Sequence, residues 1–203
     1  MRSREVAKEH VTNNQNASNS PASATLPVME GEAINRALRR IAHEIIERNP
    51  ELASVILAGI PSRGVEIAQR IAGIIESLGK TPVATGVIDV SMHRDDVGKR
   101  TGLPVVQASR LPLPLDRKTV IIVDDVFFTG RTARAAMDAI SSFGRPARIQ
   151  LAALIDRGHR ELPIRVDYVG KNLPTAAGER VRLRLENLDG EPDALWLVQE
   201  EEA

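Results

Sequence analysis

The sequence predicts a single α/β domain built on a mostly parallel central sheet with helices on both faces. Three observations carry that reading. Two short apolar runs, Ser54 to Ala58 and Thr119 to Val123, lack the polar alternation of a half-exposed strand. Each leads through a glycine-containing turn into a helical pattern, Val65 to Leu78 and Gly130 to Phe143. The 203 residues, 42% of them apolar, suffice for one well-buried core and not for two large ones. Such sheets bind ligands beyond the carboxyl ends of their strands, so function is expected in those turns.

From Val11 to Pro27 the chain is mainly Asn, Ser, Ala, Thr and Pro, with too few large apolar groups to offset the entropy of ordering. Residues 1–28 are therefore expected to form a disordered extension, and residues 29–203 the domain. Glu30 to Arg48 spaces Ile34, Leu38, Ile41 and Ile45 as a helix does, and Asn49-Pro50 ends it. Its other side carries Arg36, Arg39, Arg40, His43 and Arg48. Gly79 and Gly144 fall where helix C-caps belong. Val83 to Val90 and Ile149 to Ile155 supply further strands. Arg180 to Leu185 alternates strictly, as a half-buried antiparallel strand does, and the C-terminal third is expected to form a small cap, or hood. Ser91 to Asp116 is long and charged, which fits a mobile lid or an excursion with its own hairpin.

Bulk composition excludes several classes. The absence of cysteine removes disulfides and thiolate metal sites. No run approaches the roughly 18 apolar residues of a membrane span, and no apolar stretch follows Met1-Arg2-Ser3-Arg4-Glu5, so a cytoplasmic protein without membrane partners is expected. Lys plus Arg and Asp plus Glu both total 27, so any nucleic-acid site must be a local patch. An aromatic content of 2% excludes a base-stacking platform. No His or carboxylate spacing forms a transition-metal site.

The chemistry concentrates in Val120 to Thr132, a buried strand, the pair Asp124-Asp125, and a Thr-Gly turn opening a helix. A helix start aims unpaired N–H groups and a positive dipole end at an anion, and Thr129 and Thr132 add hydroxyl donors. Gly130 allows close approach, and the two carboxylates can accept hydrogen bonds from vicinal ribose hydroxyls. The combination suits a ribose 5-phosphate. A receiver domain also places an acidic pair at a strand end, but normally after its first strand. The earlier turn, Gly59 to Gly64, has Walker A glycine spacing, yet Val65-Glu66 replaces Lys-Ser/Thr, so an ATPase reading fails.

This stretch resembles the phosphoribosyl pyrophosphate (PRPP) signature of the type I phosphoribosyltransferases: four apolar residues, an acidic pair and a Thr-Gly loop. From Glu30 to about Val198 the chain also resembles the bifunctional uracil phosphoribosyltransferases that regulate pyrimidine operons. That likeness rests on Asp89 to Asp96, Leu154 to Arg165, Arg40 to Glu44 and Gly170 to Thr175. It implies the type I fold with a hood and a flexible lid.

It further implies that Asp124 and Asp125 hold the ribose, while Val126, Phe127, Phe128, Thr129, Gly130, Arg131 and Thr132 hold the 5′-phosphate. Ser62, Arg63 and Arg94 would meet the pyrophosphate, with Arg63, Arg94, Asp124 and Asp125 as the catalytic set. Arg157 would lie over the base, and the backbone around Val181 would read its edge. Mg²⁺ would arrive mainly through PRPP, with carboxylate help from Asp124 and Asp125. The implied reaction joins uracil N1 to C1′ and yields UMP and pyrophosphate; no general base for N1 is legible.

The resemblance also implies control by UMP or UTP of binding to a hairpin in pyrimidine-operon leader RNA, and a homodimer or higher homo-oligomer. The arginine stripe fits an RNA surface, which Arg148, Arg165 and Lys171 would extend. Arg39 departs from the small hydroxyl residue common there. Two alternatives stay open: an RNA-binding UMP sensor with vestigial activity, and a plain purine or orotate transferase. Apolar Phe128, where many purine transferases carry an acidic residue, counts against the purine reading.

Overall fold

A computed structural model describes residues 27–91, 108–176 and 178–199. A two-residue strand, β1 (Met29–Glu30), leads into helix α1 (Gly31–Arg48). Strand β2 (Val55–Gly59), helix α2 (Arg63–Ser77) and strand β3 (Ala84–Val87) form one strand–helix–strand unit of the sheet, and β4 (Thr119–Phe127), α3 (Arg131–Ser141) and β5 (Arg148–Asp156) form another. Strand β6 (Tyr168–Asn172) completes a five-stranded, all-parallel sheet of order β3-β2-β4-β5-β6. The chain then turns through β7 (Glu179–Arg184), the single-turn α4 (Glu186–Asp189) and β8 (Ala194–Gln199). These strands join β1 in an antiparallel sheet of order β1-β8-β7, the hood.

The apolar runs form buried strands because both faces are covered. On one face, Ile34, Leu38, Ile41 and Ile45 of α1 and Ile67, Ile71 and Ile75 of α2 pack against Leu57, Ile121 and Val123. On the other, Ala135, Ala136, Ala139 and Ile140 of α3 cover Ile56, Ala58, Val120 and Ile122. Alternate strand residues therefore serve opposite cores, and burying both sets drives assembly of the layers. Among the described residues no helix is long and apolar enough to cross a membrane.

Several boundaries differ from the sequence reading. Strand β4 runs past Val123 to Phe127, because its ladder with β5 continues through Asp124↔Ala153, Val126↔Ile155 and Phe127↔Asp156. The acidic pair thus lies within a strand. Strand β3 ends at Val87, where Val87 and Arg110 exchange N–H···O bonds of 2.8 Å in an antiparallel bridge, tying the start of the expected lid to its return. Residues 92–107 of that segment, including Arg94, lie outside the described residues, as do residues 1–26 of the expected extension. Val28, assigned to that extension, donates to the Leu195 carbonyl at 2.7 Å and so belongs to the hood. The hood draws on both ends of the domain, and β6, from the C-terminal third, is an edge strand of the main sheet.

Candidate active site

Strands β2 and β4 are parallel neighbours, with Gly59 opposite Val123, so the helices that follow them start at the same edge of the sheet. The N-cap residues, Ser62 of α2 and Gly130 of α3, make no side-chain cap bond, although Arg131 N–H donates weakly to Thr129 Oγ1 at 3.4 Å. Two helix starts side by side make adjacent anion sites.

At the second start, a cavity of about 310 Å³ is lined by Asp124, Val126, Phe127, Phe128, Thr129, Gly130, Arg131, Thr132, Ala133 and Glu161. Gly130 has φ +90°, a conformation that disfavours a side chain. The loop brings together every residue expected to hold the 5′-phosphate. Asp124 lines the cavity and Asp125 does not. Each carboxylate accepts the next residue's amide: Asp124 Oδ1 from Asp125 N–H at 2.9 Å, and Asp125 Oδ1 from Val126 N–H at 3.0 Å.

In the first loop the glycines serve close packing. A Cβ on Gly64 would lie 2.4 Å from the Val123 carbonyl oxygen, and one on Gly59 would lie 2.4 Å from the Val65 Cα. Ile60 N–H donates to the same Val123 carbonyl at 2.9 Å. Ser62 is exposed. Arg63 turns to the hood, where Nε donates to the Leu183 carbonyl at 2.8 Å and Nη2 to the Asp189 carboxylate at 3.0 Å. Asp189 also accepts Leu185 N–H at 2.8 Å.

The side expected to take the base is built from β5, β7 and the segment before β7. The Arg157 guanidinium lies 4.0 Å from the centre of the Phe128 ring; Nε donates to Thr175 Oγ1 at 3.0 Å and Nη2 to the Glu179 carbonyl. Burial lowers the Arg157 pKa from its ordinary value, with Glu179 raising it and Arg180 lowering it further. His159 stands edge-on to Phe128 at 5.5 Å, and its Nε2 is 2.6 Å from the Thr175 carbonyl. A carbonyl only accepts, so Nε2 carries the proton.

Strand β7 is an edge of the hood, and its outward groups face these residues. The carbonyls of Glu179 and Leu183 point outward, to Arg157 and Arg63. Strand alternation turns Val181, between them, the same way. Its N–H and C=O sit on the free edge between the two arginines.

The basic stripe of α1 runs along edge strand β6. Arg40 donates to the Gly170 carbonyl, and Arg48 donates to the Asp167 carbonyl at 2.9 Å while lying 5.2 Å from the Tyr168 ring centre. Arg36 pairs with Glu32 at 3.5 Å, and Arg39 and His43 are exposed. Lys171, on β6, lies along the same edge, and Arg165 is exposed in the connection before it. Arg148 begins β5, seven residues before Ile155, the partner of Lys171, a separation of about 23 Å along the strand. Among the described residues no cluster of three or more His, Asp or Glu forms a metal cage. Asp124 does offer a hard oxygen donor beside the phosphate loop, which fits Mg²⁺ carried by a polyphosphate.

A family model described as the phosphoribosyl transferase domain matches residues 28–184. A bifunctional protein PyrR from Roseiflexus sp. is 52% identical over 172 residues, covering 85% of this chain and 94% of that protein. Its counterpart from Chloroflexus aurantiacus is 54% identical over 170 residues, 84% of this chain and 93% of the relative. The Bacillus subtilis protein of the same name is 50% identical over 164 residues, 80% and 91% of the respective chains.

The chain belongs to the PyrR family of phosphoribosyltransferases.

Among solved structures, a hypoxanthine phosphoribosyltransferase of Trypanosoma cruzi superposes with a TM-score of 0.65 at 17% identity, over 88% of this chain and 98% of that one. That likeness shows the type I fold. The sequence reading singled out the loop Val126 to Thr132, the acidic pair and Arg157. It missed Glu161, Asp189 and Thr175, whose partners Arg131, Arg63 and Arg157 lie 30, 126 and 18 residues away along the chain. Thr175 falls within the Gly170 to Thr175 segment that already stood out as a resemblance, and that was the one available signal.

Proposed function

We propose that this PyrR-family chain transfers phosphoribose from PRPP to uracil, forming UMP and pyrophosphate, and that uridine nucleotides in the same site govern its binding to pyrimidine-operon leader RNA. The observation that carries the base assignment is the outward edge of β7. Val181 presents one donor and one acceptor there, between Arg157 and Arg63. A neighbouring carbonyl and N–H on a uracil edge match that pair.

Positioning and charge stabilisation carry the catalysis. Asp124 and Asp125 accept hydrogen bonds from the ribose hydroxyls, and the loop from Val126 to Thr132 holds the 5′-phosphate against the start of α3. Ser62 and Arg63 meet the leaving pyrophosphate once Arg63 exchanges the hood for the ligand, with Arg94 as a second cation. Mg²⁺, when bound with PRPP, neutralises phosphate charge, held by the ligand's oxygens and a carboxylate of the acidic pair. Uracil N1 then displaces pyrophosphate through an oxocarbenium-like transition state. Arg39, Arg40, His43 and Lys171, with Arg36, Arg48 and Arg165 around them, form the RNA surface, which Arg148 would extend from the other end of β5. A homodimer or higher assembly and a cytoplasmic address belong to the same reading.

The test offers uracil, hypoxanthine, guanine and orotate separately to the purified chain with Mg²⁺ and PRPP, and follows nucleotide and pyrophosphate. Turnover selective for uracil supports the reading, and purine or orotate turnover overturns it. Leader-RNA binding that tightens with UMP but occurs without turnover would instead leave a nucleotide sensor.

A further inference from the structure

The 5′-phosphate loop contains a carboxylate that phosphate binding does not require. Glu161 lines the same cavity as Thr129, Gly130, Arg131 and Thr132. Its Oε2 accepts a hydrogen bond from Arg131 Nε at 2.8 Å and lies 2.8 Å from Nη2. The main chain holds it in place: Glu161 N–H and Leu162 N–H donate to the Thr129 carbonyl at 3.0 and 3.2 Å. The segment is so close that a Cβ on Gly130 would sit 3.4 Å from the Leu162 Cβ. The backbone of Glu161 is therefore part of the loop wall. Its side chain and that of Arg131 are 52% and 45% exposed, so both can reorient.

We propose that Glu161 is a built-in competitor for the 5′-phosphate, a specificity-determining residue that sets how tightly the loop holds a phosphorylated nucleotide. This rests on the reading of residues 126–132 as the phosphate loop. Glu161 pairs with Arg131 and neutralises it. An arriving phosphate dianion has two routes. It takes Arg131 from the carboxylate and loses the value of that ion pair, or it binds beside the intact pair and meets the negative charge of Glu161. Either route lowers phosphate affinity, and an amide of the same shape removes the opposition. The helix start and the threonine hydroxyls supply attraction, and Glu161 limits it. A site that must both release its product and respond to changing nucleotide levels needs such a limit.

Isothermal titration of the full chain with UMP and with uridine tests this in wild type, Glu161→Gln, Arg131→Gln and the double variant. Glu161→Gln should bind UMP roughly two- to fivefold more tightly, the scale of one partly exposed ion pair, with uridine affinity unchanged. Arg131→Gln, which leaves the carboxylate unpaired in the loop, should weaken UMP and not uridine. Adding Glu161→Gln should recover part of that loss, which a merely structural ion pair would not do. Equal or weaker UMP binding by Glu161→Gln, or a double variant no better than Arg131→Gln, overturns the proposal. Wild-type protein that does not prefer UMP to uridine overturns the phosphate-loop reading itself, and the proposal with it. Thermal midpoints within a degree or so of wild type confirm that each variant is folded.

Discussion

Thr175 and Phe128 hold Arg157 together: the hydroxyl accepts Nε–H at 3.0 Å, and the ring centre lies 4.0 Å from the guanidinium. Through its carbonyl, Thr175 also takes His159 Nε2, so one residue, 7% exposed, orients two side chains around the aromatic ring. Phe128 belongs to the loop proposed to hold the phosphate, and this cluster joins that loop to the side proposed to hold the base.

Thr175→Val keeps the shape and removes the acceptor, leaving an N–H of Arg157 without its partner. The KM for uracil should rise roughly five- to tenfold, the cost of one such loss, while the KM for PRPP stays nearly constant. Thr175→Ser should restore the wild-type value. Steady-state kinetics with each substrate varied in turn distinguish the cases, and a parallel rise in both KM values would deny the cluster a role at the base.

Gly64 and Gly73 lie in one helix and should respond oppositely to alanine. At Gly64 the new Cβ would meet the Val123 carbonyl oxygen at 2.4 Å and the Asp124 Cα at 3.3 Å, both backbone atoms that cannot yield without moving β4. At Gly73, exposed on α2, nothing lies within 4 Å. Urea unfolding should show Gly64→Ala destabilised by about 2–4 kcal/mol and Gly73→Ala stabilised by about 0.5–1 kcal/mol. A neutral Gly64→Ala would mean that α2 and β4 do not meet as described.

The hood is fastened to α2 by charge. Arg70 Nε donates to Glu66 Oε1 at 2.7 Å and its other nitrogens bind the Asp193 carboxylate, while Asn187 donates to the same Glu66 oxygen at 2.7 Å. Burial pushes the Asp193 carboxyl up, yet the Arg70 hydrogen bond, the Glu186 N–H and the Arg70 charge outweigh it and hold the pKa below its ordinary value. The unfolded chain therefore takes up this proton first as pH falls. The stabilisation is complete above the unfolded value, near about 4, and disappears as pH drops through the folded one. Asp193→Asn should cost about 1–3 kcal/mol at neutral pH and flatten the acid limb of the stability curve below pH 5 or so. An unchanged acid limb would assign acid sensitivity to other carboxylates.

The main sheet was legible because burial on both faces writes strands as uninterrupted apolar runs, as in Val55 to Ala58 and Val120 to Val123. Where one of those conditions fails, the signal fades. Tyr168 to Asn172 is an edge strand containing Gly170, needed because a Cβ there would lie 2.4 Å from the Leu154 carbonyl oxygen, and Lys171, so its composition resembles a turn. Met29 and Glu30 have no pattern of their own and become a strand only through pairing with Leu195 and Ala194. The loop from Val126 to Thr132 stood out because its chemistry is contiguous in sequence. Glu161 did not, since a carboxylate before Leu-Pro carries no local mark, and the bonds of residues 161 and 162 to Thr129, with the ion pair to Arg131, bring it to the loop.

The alternation of β7 gives a substitution that separates reading the base from holding the hood. Val181 N–H points to the free edge, whereas Arg182, opposite Trp196, directs its backbone toward β8. Proline lacks the N–H and is tolerated in an edge strand where that group faces outward. Val181→Pro should therefore leave the β7–β8 ladder standing and remove the donor offered to the base, raising the KM for uracil by roughly tenfold with little effect on PRPP. Arg182→Pro should break the ladder. Trp196, the sole tryptophan, sits in β8 and reports on the hood by its fluorescence. Native-like emission with impaired uracil use is expected for Val181→Pro, and a red-shifted, exposed spectrum for Arg182→Pro. Unaltered uracil kinetics in a folded Val181→Pro protein would move recognition of the base edge away from β7.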